Sequence, residues 1–67
     1  MMPDQVSRRA RELALDPALS DYEVWRTLRS VRGQIYTLER EGYPIPIRLL
    51  YARKSLELAN RNRGNPD

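Results

Sequence analysis

Apolar residues recur along this chain at steps of three and four, the period of a helix that turns one face inward. The longest run is Val24, Leu28, Val31, Ile35 and Leu38. This seam predicts a helix over 21–41. Ser20 followed three positions later by Glu23 marks its start, as a capping box in which each side chain satisfies the other residue's backbone N–H. Leu19 and Val24 match a hydrophobic staple across that start, and Gly42 suits the left-handed residue that closes a helix.

A second seam, Ile45, Leu49, Ala52, Leu56 and Ala59, repeats the same steps. It predicts a helix over 46–62 that opens on Pro46 and is stopped by Gly64 and Asn65-Pro66. Between the two, Pro44 and Pro46 hold Tyr43 and Ile45 extended. Matched seams joined by so short a connection predict an antiparallel helical hairpin. Ahead of it, Val6, Ala10, Leu13 and Ala14 predict a shorter helix over 4–15, with Pro3 and Asp4 suited to its first turn and Asp16-Pro17 ending it. Residues 1–3 and 63–67 are expected to fray. The only strand-like stretch, Tyr43 to Ile47, is interrupted by two prolines. The expected fold is all-α, a single small domain over 1–67.

The third helix carries more apolar surface than one seam uses. Ile47, Leu50, Tyr51 and Leu58, with the stem of Lys54, form a second stripe beside the first. A helix apolar on two sides needs cover on two sides, and the thin stripe of the first helix supplies only part. Size sharpens the expectation. Below ~70 to 80 residues one core rarely contributes more than about 3–5 kcal/mol, and disulfides or metals often staple such chains. This chain has 67 residues and neither cysteine nor histidine. Oligomerisation is the ordinary route left, so a homodimer or a dedicated protein partner is expected, with Ile47, Leu50, Tyr51 and Leu58 as the interface and a helical bundle as the product.

The same absences bear on chemistry. Without Cys there is no disulfide, thiolate metal site or Cys nucleophile, and without His the commonest general base is missing. Ser7, Ser20, Ser30 and Ser55 have no partner base in view, and Glu39 and Glu41, two apart, do not share a helix face. There is no glycine-rich phosphate loop. A non-enzymatic protein without cofactor or metal is expected. No apolar run is long enough to cross a membrane, and no apolar signal core follows Arg8, Arg9 and Arg11, so the expected location is the cytoplasm. Free-standing chains of this size suggest a bacterial or phage protein.

Net charge is +3, and of the twelve basic residues only Lys54 is a lysine. Arginine suits forked contacts to carboxylate or phosphate and stacks on aromatic rings. On the second helix Trp25, Arg29, Arg32 and Tyr36 fall on one side of the seam, with Tyr22 and Arg26 nearby. These residue types dominate binding hot spots, so Tyr22, Trp25, Arg29, Arg32 and Tyr36 are the candidate partner-binding residues. Trp25 itself is expected to pack against a neighbouring helix. Gly33 is expected to be a tolerated helix residue rather than a contact point. Arg8, Arg9 and Arg11, with Arg61 and Arg63 from the far end, form a candidate basic patch that Glu12, Asp16 and Glu57 dilute.

Gly33, then Gly42-Tyr43-Pro44-Ile45-Pro46, then Leu50 and Ala52, resemble a stretch of the DksA/TraR zinc-finger regulators of RNA polymerase. The positions of that family's first two zinc cysteines are Leu38 and Glu41 here, and no cysteine follows. No zinc site and no functional residue carries over. The leading expectation is a protein-interaction module: a regulator, adaptor or inhibitor that occupies a surface of a larger protein. Two others are a nucleic-acid-binding regulator that uses its Arg-rich faces and an obligate subunit or chaperone that folds with its partner.

Overall fold

The computed structural model describes residues 4–66, so Pro3 and the expected fraying of residues 1–3 and 67 lie outside it. Three helices make up the fold: α1 (Asp4–Leu15), α2 (Asp21–Glu41) and α3 (Ile47–Asn62). The start of α3 is one residue later than the seam suggested. Pro46 has ψ 138, an extended value, so it caps the helix from outside and its carbonyl accepts from the Leu49 and Leu50 N–H groups.

At the start of α2 the Ser20 Oγ accepts from the Glu23 N–H at 3.0 Å, which is the Ser20 half of the expected box. Its end is a Schellman turn. Gly42, at φ 79, donates to Glu39 O, and Tyr43 donates to Leu38 O. The end of α3 repeats it, with Gly64 at φ 75 donating to Arg61 O and Asn65 to Asn60 O. In both turns a left-handed residue satisfies carbonyls the helix leaves unpaired, which is why glycine stands there.

The seam of α2 is the core. Val24, Leu28, Val31 and Ile35 are buried against Leu56 and Ala59 of α3, with Leu49, Ala52 and Ile45 partly buried around them. Contacts along the pair fix its direction: Asp21 meets Arg63 while Arg32 meets Glu57, so α2 and α3 are antiparallel. On the other side of α3, Ser55 Oγ donates to Val6 O and Arg63 donates to Leu13 O. The offset is 49 residues at one contact and 50 at the other, so α1 runs parallel to α3. Val6 and Ala10 are buried by this packing. The second apolar side of α3 is thus covered in part within the chain. Leu50, Tyr51 and Leu58 are half-buried, and only Ile47 of that stripe is exposed, at 60%.

The tail is tied down through residue 66. Asn60, fully buried, donates from Nδ2 to Pro66 O, and Asn65 Nδ2 donates both to Asn60 Oδ1 and to Asp21 O. These hydrogen bonds fall within residues 63–66, the stretch expected to fray. The chain end is sewn to the start of α2 by side-chain amides.

Candidate partner-binding face on the second helix

Once α2 commits its seam to the core, the residues one step round the helix face outward beside α3. Tyr22 and Trp25 approach with ring centroids 5.9 Å apart and planes tilted by 37°. Four residues on, the Arg29 guanidinium carbon lies 4.9 Å from the Trp25 ring centroid, a cation–π contact. Trp25 is half-buried and Tyr22 exposed, so the pair forms a shallow aromatic step with a cation laid over it. Both of these ring partners of Trp25 belong to α2 itself.

Arg32 is drawn to α3. Its Nη2 donates to Glu57 Oε2 at 3.0 Å, and Lys54 Nζ stands 3.8 Å from Glu57 Oε1. One carboxylate therefore serves two cations, Arg32 from across the α2–α3 seam and Lys54 from α3 itself, and Arg32 bridges the two helices. Beyond it Tyr36 is 64% exposed. Of the five candidates, Tyr22, Trp25 and Arg29 form a contiguous cluster, Arg32 is bound to α3, and Tyr36 stands further along the same flank.

The candidate basic patch divides. Arg8, Arg9, Arg11 and Arg61 are exposed, and Arg9 is paired with Glu12 at 3.2 Å. Arg63 does not join them. Its side chain is only 10% exposed and makes five hydrogen bonds, two to Leu13 O and one each to Asp16 O, Leu19 O and Asp21 Oδ1. The physical cause lies in α1, whose last turn has no basic residue and ends on Asp16-Pro17 without a glycine turn. Its terminal carbonyls need donors, and the parallel register brings Arg63 to them. Gly33 is exposed, and a Cβ built there meets nothing within 4 Å, in line with a tolerated glycine.

Sequence reasoning missed the inward turn of Arg63, the buried Asn60 and the polar Ser55 inside the packing. The available signal was Gly64, which predicts a closed turn that carries Arg63 and Asn65 back over the helix ends. No group of His, Cys, Asp or Glu able to hold a metal occurs among the described residues, and none of their helices is long and apolar enough to cross a membrane. The chain matches no family model, and no curated protein or solved structure matches it.

Proposed function

We propose that this chain is a small non-enzymatic, cytoplasmic interaction module that occupies a surface of a larger protein through the outer flank of α2. The observation that carries the proposal is the Arg29 guanidinium stacked 4.9 Å from Trp25, with Tyr22 beside it, on a flank the core does not use. Aromatic rings give large rigid contact area at low entropic cost, and a guanidinium already held over a ring loses less freedom on binding. Tyr36 extends the flank by a further rigid anchor.

A protein surface is favoured over a nucleic acid because Arg32, on this flank, is already paired with Glu57 at 3.0 Å and so offers phosphate less than a free cation would. A dedicated partner is favoured over a second copy, because Leu50, Tyr51 and Leu58 of the α3 stripe are already half-buried within the chain. The test is affinity capture from the native host with the unaltered chain and with the Arg29→Ala, Tyr36→Ala double variant. The double variant is expected to lose the captured partner with its helical circular dichroism unchanged. Capture that survives both substitutions refutes the assignment. A mobility shift on RNA or DNA that weakens steeply with salt would replace it with the nucleic-acid reading.

A further inference from the structure

α1 and α2 each lie against α3 but barely against each other, and the splay leaves a groove of about 450 Å³ between them. That volume falls within the ~300–1,000 Å³ of small-molecule sites, which often lie between the helices of a bundle. Val6 and Leu13 of α1 and Val31 of α2 form apolar walls over Tyr51, Ala52 and Leu56 of α3. Of the three hydroxyls on the lining two are already used, since Ser55 donates to Val6 O and Thr27 to Glu23 O; the third ends the otherwise apolar ring of Tyr51. The surface inside therefore asks for hydrocarbon rather than for water.

The charged side chains that line it have one sign. Among the described residues no acidic side chain lines the groove, whereas Arg9 and Arg48 do, and both are exposed. Arg9 is engaged by Glu12 at 3.2 Å. Arg48 makes no ion pair among the described residues. It also stands in the first turn of α3, which holds no acid to offset it. A cation at a helix N-terminus is electrostatically misplaced and gains from an anion brought beside it.

The geometry points to a binding site for an apolar carboxylate, an acyl or aryl acid whose hydrocarbon fills the groove and whose carboxylate meets the Arg48 guanidinium. An arginine fork matches a carboxylate with two parallel N–H donors, so an acid is selected over the alcohol or the cation of equal length. The site is independent of the partner-binding flank. It lies on the side of α2 that bears Thr27 and Val31, away from Trp25 and Arg29.

The experiment is titration of the full chain with decanoate, followed by ¹⁵N–¹H NMR, with decanol and decyltrimethylammonium in parallel. Decanoate is expected to saturate, with amide shifts concentrated at Val6, Val31, Ala52 and Leu56. Arg48→Gln, at an exposed position, is expected to weaken decanoate about five-fold and leave decanol unchanged. The proposal is overturned by shifts that do not saturate or that centre on Tyr22, Trp25 and Tyr36. It is equally overturned if Arg48→Gln binds decanoate as well as the unaltered chain, or if decyltrimethylammonium binds as tightly as decanoate.

Discussion

Replacing Arg63 by alanine removes a side chain that joins all three helices. Its guanidinium donates to Leu13 O at 3.2 and 2.8 Å, to Asp16 O at 2.9 Å, to Leu19 O at 2.8 Å and to Asp21 Oδ1 at 3.1 Å. A hydrogen bond to a charged group nets about 1.5–3 kcal/mol, but these five share one cation and do not add. Water also reaches part of the site once the side chain is gone, so the loss is set at about 3 kcal/mol. A chain of this length has a total stability of only about 3–10 kcal/mol, so the substitution removes a large share of it. At about 4–8 °C per kcal/mol for a domain of this size, the melting temperature should fall by roughly 15 °C.

Thermal melts followed by circular dichroism read this directly, and two controls separate the causes. Asp21→Asn removes only the negative charge of an acceptor that is 62% exposed, and should cost under about 1 kcal/mol. Arg61→Ala, exposed one turn-step away, should stay within about 0.5 kcal/mol of the unaltered chain. Arg63→Lys should recover less than half the loss, since an ammonium cannot fork to carbonyls on two segments. The Arg63→Ala loss should also persist in 1 M salt at roughly the same size, because carbonyl acceptors are not screened as an ion pair is. A melting temperature within about 2 °C of the unaltered chain would refute the reasoning, as would an Asp21→Asn loss equal to that of Arg63→Ala.

Gly33→Ala should raise stability by about 1 kcal/mol, since the position is helical and open to solvent, and urea unfolding should show the midpoint move up without a change in slope. Leu28→Ala, at the most deeply buried side chain of the α2 seam, should cost about 2–5 kcal/mol and leave the chain largely unfolded at 37 °C by circular dichroism. Ser20→Ala should cost about 1 kcal/mol by losing the Glu23 N–H acceptor, whereas Ser30→Ala on the exposed face of the same helix should be near neutral in the same melts.

The parts of the fold legible in the sequence were those that rest on period and local chemistry. The α2 seam, its Ser20 start and its Gly42 end are all local, and the helix runs over the span they mark. The antiparallel pairing followed from two seams of equal step and a connection of few residues. The arrangement of α1 did not follow, because its thin stripe states which face is buried but not which helix buries it. Its parallel course beside α3 depends on contacts such as Val6 with Ser55, between residues far apart in the chain. Arg63 was misplaced for a related reason. Composition counts an arginine as surface charge, whereas its position is set by carbonyls at the end of another helix. At the candidate face, spacing alone grouped Tyr22, Trp25, Arg29, Arg32 and Tyr36. It could not tell that Glu57, from α3, would take Arg32 out of the group.

The lack of cysteine and histidine pointed to a second chain as the missing staple, and the packing of this chain changes what that second chain would be for. A staple exists inside the molecule: Arg63 and Asn65 bind the end of α3 to the end of α1 and the start of α2, and Asn60 holds Asn65 and Pro66, through polar contacts that need neither thiol nor metal. Leu50, Tyr51 and Leu58 of α3 are also half-buried within the chain, which reduces the apolar surface available for self-association. Besides the exposed Leu15, Tyr43 and Ile47, the surface left unspent includes an aromatic step with a stacked guanidinium on α2. Aliphatic stripes are buried for stability, whereas aromatic and arginine anchors beside ion pairs are typical of surfaces that form and part. It follows that the isolated chain should melt cooperatively as a monomer at micromolar concentration and still capture its partner, with folding and binding separable by mutation. Arg63→Ala should damage the first, and Arg29→Ala with Tyr36→Ala only the second.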